Sequence, residues 1–85
     1  MVTIEIYGPG CLRCHATRDN IGEALQELGL KDTDQRVKIV QIKDPKEMAK
    51  KGIMLTPALM INGVKLSENR IPEVAEIKQW IQGNL

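Results

Sequence analysis

The sequence predicts an α/β protein in which a four-stranded mixed sheet carries helices on both faces. Three observations lead to this fold class. Two strand-like segments, residues 2–7 and 37–42, are separated by a stretch long enough for a helix and a right-handed parallel crossover. Asn62-Gly63, between two apolar segments, predicts a tight antiparallel hairpin. An amphipathic segment closes the chain as a helix. The predicted order is therefore β-α-β-α-β-β-α.

The first half of the chain is a strand, a break, a long helix and a second strand. Residues 2–7 (VTIEIY) alternate in hydrophobicity and are rich in branched side chains, which is typical of a strand. Gly8-Pro9-Gly10 then interrupts it. From Cys11 to Leu30 the apolar residues recur at helical spacing, and Gly29 is predicted to end this helix. A polar connection leads to the second strand, VKIVQI.

The middle of the chain contains a short helix with complete end signals. Asp44 can cap its first turn, Pro45 fits the first helical position, and lysines precede Gly52 at its end. Residues 53–61 (IMLTPALMI) contain a third strand, and residues 64–67 (VKLS) form a fourth strand after the hairpin turn.

The last segment, PEVAEIKQWIQGNL, predicts a helix with Pro72 at its start. Its apolar side chains recur on one face, and we interpret Trp80 as a residue of the core. The predicted stripe consists of Val74, Ile77, Trp80, Ile81 and Leu85.

Length and composition limit the classes of function. The 85 residues predict one domain, 1–85, and the chain is 42% hydrophobic and 27% charged, as is ordinary for a soluble protein. A net charge of +1 with interleaved signs does not favour nucleic-acid binding. No apolar run approaches the roughly 20 residues that span a bilayer, and the start of the sequence does not resemble a secretory signal. We expect a cytoplasmic monomer without a cofactor.

Cys11 and Cys14 are the two cysteines, and the predicted helix begins at them. The N-terminus of a helix stabilises an anion, so we expect the Cys11 sulfur to be a nucleophilic thiolate. Cys14 lies one turn further along the same face, where it can resolve a mixed disulfide. Arg13 adds positive charge that is expected to favour the thiolate further. Two cysteines this close in sequence cannot cross-link distant parts of a fold, so a redox or metal role is favoured over a structural disulfide.

Thr56-Pro57 interrupts the third predicted strand. A proline directly before a core strand is unusual unless the turn is required there. Two alternatives follow from the residues alone. Pro57 either forms a functional turn with a cis peptide bond or is an ordinary trans proline at the start of an edge strand.

The segments IYGPGCLRC and LTPALMING, together with the closing helix, resemble the thioredoxin superfamily over essentially the whole chain. The chain is glutaredoxin-sized and is similar to small prokaryotic thioredoxin-like redox-active disulfide proteins. The resemblance implies a thioredoxin-like fold, the redox pair Cys11 and Cys14, and a cis-proline at Pro57 that faces the two sulfurs. It also implies that backbone groups at Thr56 pair with an extended substrate, and that Gly10 borders the site. The implied partners are a disulfide-bearing protein and a thioredoxin-reductase-type electron donor.

The sequence departs from its relatives at several places in these motifs. Gly10 and Leu12-Arg13 replace the Trp and the Gly-Pro of thioredoxins. Glu5 has the spacing of their buried acid, but strand alternation places it opposite Ile4 and Ile6, so we expect an exposed or edge carboxylate. The basic residue and the Gly-Gly pair of glutaredoxins are absent, which disfavours glutathione binding.

Two other functions share the CLRCH motif. Two thiolates with His15 could bind copper or zinc in a small chaperone-like module, although structural zinc normally takes four ligands. CxxCH is also the attachment motif of haem c, with His15 as iron ligand. The several strands and the absence of an export signal disfavour haem, and we interpret His15 as a solvated residue beside the site.

Overall fold

The computed structural model describes residues 2–10, 12–30 and 35–84. Within these ranges the order of elements is β-α-β-α-β-β-α, as predicted. The elements are β1 (Val2–Tyr7), α1 (Leu12–Glu27), β2 (Val37–Ile42), α2 (Pro45–Lys50), β3 (Ala58–Ile61), β4 (Val64–Glu68) and α3 (Val74–Gln82).

The described strands form one mixed sheet in the order β2-β1-β3-β4. β1 pairs with β2 in parallel, from Val2 opposite Val37 to Tyr7 opposite Ile42. β1 also pairs with β3 antiparallel, and β3 pairs with β4 antiparallel with an irregularity between Leu59 and Met60. β1 is thus a central strand, and its C-terminal end lies beside the C-terminal end of β2. The predicted mixed sheet and its thioredoxin-like topology are confirmed.

The two faces of the sheet bury separate apolar clusters. On one face the even-numbered residues of β1 pack with residues of α1 and α3, and on the other face Tyr7 packs with Met48 of α2 and Met60 of β3. The alternation of side chains along β1 sends Ile4 and Ile6 to the first face and Tyr7 to the second. Helices therefore cover both faces, as predicted.

Local end signals set the first two helices. At the end of α1 the Leu30 N–H donates to the Leu25 carbonyl at 2.8 Å, and the Gly29 N–H donates to Gln26, which is the Schellman pattern. α2 ends in the same way at Gly52. At the start of α2, Asp44 Oδ1 accepts from the Lys46 N–H at 2.9 Å, so the predicted cap is confirmed.

The last helix begins later than predicted. Glu73 is its N-cap and forms a reciprocal capping box with Glu76, so Pro72 precedes the helix and does not occupy its first position. Each of the two carboxylates accepts from one backbone N–H, so the first turn is capped from Glu73 onward. Trp80 is half-buried and packs at the margin of the main core, while Leu85 lies outside the described residues.

The hairpin turn lies at the predicted residues and joins antiparallel strands. Asn62 and Gly63 have φ values of 51° and 82°, which suits the two central residues of a type I′ turn. β4 runs one residue beyond the predicted strand, to Glu68. Because Glu68 pairs with Ala58, which in turn pairs with Tyr7, this extension brings Glu68 and Asn69 to the end of the sheet at which β1 finishes. None of the described helices is long and apolar enough to cross a membrane.

Candidate active site

Cys14 lies in the first turn of α1 and is only 1% exposed. Its sulfur is therefore shielded from bulk solvent, and its role as the resolving cysteine stays a prediction. Cys11, the expected nucleophile, lies outside the described residues. Its role and its geometry therefore stay predictions.

Gly8 brings three segments together at the end of β1. A Cβ atom built on Gly8 would overlap the Sγ atom of Cys14 and would lie 3.7 Å from Cβ of Thr56. The Gly8 N–H donates to the Ile42 carbonyl at 3.0 Å, which holds this backbone against the end of β2. The absence of a side chain at Gly8 is what lets the Cys14 sulfur approach the backbone of β1, with Thr56 beside it.

Thr56 and Pro57, in the loop that precedes β3, form another part of this site beside Gly8. The peptide bond between them is cis, Pro57 is fully buried and Thr56 is half-buried. The Pro57 carbonyl accepts a hydrogen bond from the Asn69 N–H at 2.9 Å. The loop that precedes β3 is therefore attached to the end of β4.

Arg13, immediately before Cys14, is held by the same residue of the β4–α3 connection. Its guanidinium donates to the Asn69 carbonyl at 2.6 Å and to Asn69 Oδ1 at 3.3 Å. The expected effect of its charge on the Cys11 thiolate stays a prediction. What the structure adds is a fixed direction for this side chain, toward Asn69.

Gly10 occupies the turn between β1 and α1 with a φ of 92°, a conformation that residues with a side chain rarely adopt. A Cβ atom at Gly10 would lie 3.9 Å from the ammonium nitrogen of Lys43. Lys43 follows β2, whose end adjoins the end of β1, and sequence reasoning did not identify it. The parallel pairing of the two strands is the signal that places this cation beside Gly10.

Exposed apolar side chains surround the site. Leu12 is 87% exposed, Met54 is 88% exposed, and Leu55 is also more than half exposed. The first follows Cys11 in the chain, and the other two directly precede Thr56. Met54 and Leu55 belong to residues 53–61, in which the third strand was predicted, but they precede β3, which begins at Ala58.

Glu68 organises the loop that carries Met54 and Leu55. Its Oε2 atom accepts from the Met54 N–H at 2.8 Å and from the Leu55 N–H at 3.1 Å, while its Oε1 atom accepts from Lys65 at 3.1 Å. The hydrogen bonds from Met54 and Leu55, followed by the one from Lys65, lower the pKa of Glu68 below its ordinary value.

Glu5 is neither exposed nor on an edge strand, so the expectation for it was wrong. It is half-buried on central strand β1, and its Oε2 atom accepts from the Tyr7 hydroxyl at 2.9 Å. β4 and β2 are the edge strands of the described sheet, and the face of β1 that carries Glu5 is the one covered by α2. Burial, followed by this hydrogen bond, raises the pKa of Tyr7 to about 12.

The residues of the metal alternative can be placed in part. His15 is exposed on α1, and the described residues contain no group of three or more His, Cys, Asp or Glu side chains arranged to hold a metal ion. Cys11, which the metal and haem alternatives both require, lies outside those residues. The haem and metal alternatives are therefore matters for experiment.

The fold and this site define a thioredoxin-like protein, with a helix-borne cysteine opposite a cis-proline loop. The family model described as a thioredoxin domain matches residues 2–82. A thioredoxin from Methanocaldococcus jannaschii is 35% identical over 85 residues, which cover 100% of this chain and 92% of that protein. A thioredoxin from Methanothermobacter thermautotrophicus is 30% identical over 79 residues, covering 93% and 96% of the two chains. The chain belongs to the thioredoxin family, which is a family of thiol–disulfide oxidoreductases.

Proposed function

We propose that this protein reduces disulfide bonds in other proteins through the dithiol of Cys11 and Cys14. The observation that carries the proposal is the meeting of Gly8, Cys14 and Thr56 at the end of β1, where a sulfur lies beside the loop of the cis-proline. Its membership in the thioredoxin family supports the same chemistry.

The reaction consists of two thiol–disulfide exchanges. The Cys11 thiolate attacks one sulfur of the substrate disulfide, the substrate S–S bond breaks, and the departing substrate sulfur takes up a proton. Cys14 then loses its proton, and its sulfur attacks Cys11 in the mixed disulfide. The bond between Cys11 and the substrate breaks, and the second substrate sulfur leaves and takes up a proton. The substrate has gained two electrons from the cysteine pair and two protons, one released by Cys14 and one from solvent, and the Cys11–Cys14 disulfide remains.

The surroundings of Cys14 suit the second exchange. Its burial keeps water and unrelated disulfides away from the resolving sulfur, so that it reacts chiefly with the neighbouring mixed disulfide. The exposed side chains of Leu12, Met54 and Leu55 offer an apolar surface on which an unfolded or extended segment of the substrate can lie. A dithiol donor of the thioredoxin-reductase type, acting in a reducing compartment such as the cytoplasm, would return the protein to the dithiol state.

Redox titration tests this proposal. The purified protein is equilibrated in defined thiol–disulfide buffers and its thiols are counted by alkylation. We expect a reversible two-electron couple near the reducing end of the family range, about −270 mV, and a value near −120 mV would identify an oxidant instead. A stoichiometric metal complex that resists redox cycling would contradict the proposal in favour of the metal module, and a Soret band would indicate haem.

Mixed-disulfide trapping tests the two roles. Cys14→Ser should accumulate a covalent adduct with a protein disulfide, because Cys11 can still attack but nothing resolves the product. Cys11→Ser is the matched control and should trap little, because the remaining sulfur is buried. Equal trapping by both variants would contradict the assignment of Cys11 as nucleophile.

A further inference from the structure

Two consecutive residues at the end of β4, Glu68 and Asn69, contact both segments that form the site. The Glu68 carboxylate accepts from the N–H groups of Met54 and Leu55, and the Asn69 N–H donates to the Pro57 carbonyl. The carbonyl and side-chain oxygens of Asn69 accept from Arg13. One dipeptide thus links the cis-proline loop to the first turn of α1.

The backbone of Asn69 makes this double contact possible. Its φ of 59° is in the left-handed region, which asparagine tolerates better than most residues. In this conformation the Asn69 N–H donates to the Pro57 carbonyl, and the Asn69 carbonyl accepts from Arg13.

Arginine suits its end of this contact better than lysine. Its planar guanidinium carries donors in a fixed fork, so one side chain can serve both oxygens of Asn69 at 2.6 and 3.3 Å. A lysine ammonium would keep the charge but not this geometry. The bonds are charge-assisted, which makes them stronger than bonds between neutral groups.

We propose that Arg13, Glu68 and Asn69 form a brace that fixes the distance between the Cys14 turn and the Met54–Pro57 loop. The inference rests on the proposed function, because the brace positions the loop for a protein disulfide. Arg13 is then a positioning residue that acts through its fork of donors, and its charge is of lesser importance. Small displacements of positioned groups slow a reaction considerably, so the brace should affect the rate without being needed for folding.

The comparison of Arg13→Lys with Arg13→Gln tests this inference. The rate of reduction of insulin disulfides, with dithiothreitol as the recharging thiol, is measured for both variants together with the unfolding free energy. We expect both variants to lose kcat/KM by a similar factor, about 10-fold. The unfolding free energy should change little, because both bonds are exposed to solvent. If the lysine variant keeps the wild-type value while the glutamine variant loses it, Arg13 acts through its charge and the brace is refuted. Full activity in both variants refutes it equally.

A second pair of variants tests the Glu68 end. Glu68→Ala removes the acceptor for the Met54 and Leu55 N–H groups, whereas Glu68→Gln keeps an amide oxygen in its place. The glutamine variant should therefore retain clearly more activity than the alanine variant. Lys65→Ala is the matched control, because it removes the ion pair with Glu68 at 3.1 Å and leaves the loop contacts intact. We expect that control to stay within about twofold of wild type, since surface ion pairs contribute little. Equal loss in all three variants would refute the brace.

A local readout separates positioning from general stability. Amide hydrogen exchange of Asn69 reports its bond to Pro57, and we expect faster exchange there in Arg13→Lys, with unchanged protection in β1 and β3. Unchanged exchange at Asn69 would refute the link between Arg13 and the loop. A wild-type protein without a reversible dithiol couple would refute the proposed function and this inference together. An active wild type with an equally active Arg13→Lys refutes the brace alone.

Discussion

Replacing Gly8 by alanine would place a methyl group against the sulfur of Cys14. The added Cβ would overlap Sγ, while its distances to Cys14 Cβ, 3.6 Å, and Thr56 Cβ, 3.7 Å, are ordinary contacts. The conflict therefore involves one atom, and that atom belongs to the resolving cysteine.

The magnitude follows from how far the sulfur can move. Favourable contacts between heavy atoms lie near 3.5–4.0 Å, so the pair must separate by roughly an ångström or more. Cys14 is 1% exposed, and its neighbours fill the space around it. Overpacking of a well-packed core costs about 1–3 kcal/mol, and this is the loss we expect in the free energy of unfolding. For a chain of this size, each kcal/mol lowers Tm by roughly 4–8 °C.

Urea denaturation of the reduced protein measures this loss. Gly22→Ala is the matched control, because Gly22 lies within α1, is exposed, and has nothing within 4 Å of its added Cβ. That variant should be stabilised by about 0.5–1 kcal/mol, since alanine has the higher helix propensity. The same chemical change should thus have opposite signs at the two glycines.

A double-mutant cycle identifies the cause. In a Cys14→Ala background the sulfur is gone, so Gly8→Ala should cost less there, with a coupling energy of about 0.5–3 kcal/mol. An identical cost with and without the sulfur would refute the reasoning, because the destabilisation would then come from some other effect at Gly8. A Gly8→Ala variant as stable as wild type, with unchanged redox potential, would refute the close approach itself.

Three further predictions concern other parts of the molecule. The pKa of Tyr7 is raised to about 12, so the folded state keeps the neutral phenol at pH values where the unfolded state, with a pKa of 10.0, is ionised; the free energy of unfolding should therefore fall as pH rises from about 10 to 12. Because the chain has a single tyrosine, the absorbance titration of the folded protein should have its midpoint near pH 12. Asp44→Ala should cost about 0.5–2 kcal/mol by urea denaturation through loss of the α2 cap, while Asp44→Asn, which keeps an acceptor, should cost less. The pKa of Glu68 is lowered in the folded state, so its contribution to stability is present above the ordinary pKa of glutamate and is lost as pH falls through the pKa of the folded state. Urea denaturation at a series of acid pH values should therefore show a smaller loss of unfolding free energy in Glu68→Gln than in wild type.

The fold could be predicted largely because its signals are local. The Schellman glycines, the Asp44 cap and the Asn62-Gly63 turn each act within a few residues, so their effect can be inferred from adjacent letters. The start of α3 was predicted too early because two start signals lie next to each other: Pro72, and the capping box of Glu73 and Glu76, at which the helix begins. Glu5 was misplaced because alternation gives the face of a strand but not whether that face is covered. α2 packs over the face that carries Glu5, and Tyr7 donates to its carboxylate.

The candidate site was predictable at its motifs and not at the contacts between them. CxxC and Thr56-Pro57 are recognisable as short patterns, whereas Gly8 is an ordinary glycine until Cys14 is seen beside it. Arg13 and Asn69 are far apart in sequence, and both are ordinary surface residues by type. Such pairings depend on where β4 ends relative to α1, which is a property of the assembled sheet.

The positions of the two aromatic residues give this protein a built-in optical probe on each side of its sheet. Tyr7 packs in the cluster beneath α2, and Trp80 packs at the margin of the cluster beneath α1 and α3. There is one residue of each kind in the chain, so tyrosine absorbance and tryptophan fluorescence report on separate layers without any label. Coincident denaturation curves from the two signals would show that both layers unfold in one cooperative step, and curves that separate would show which layer is lost first.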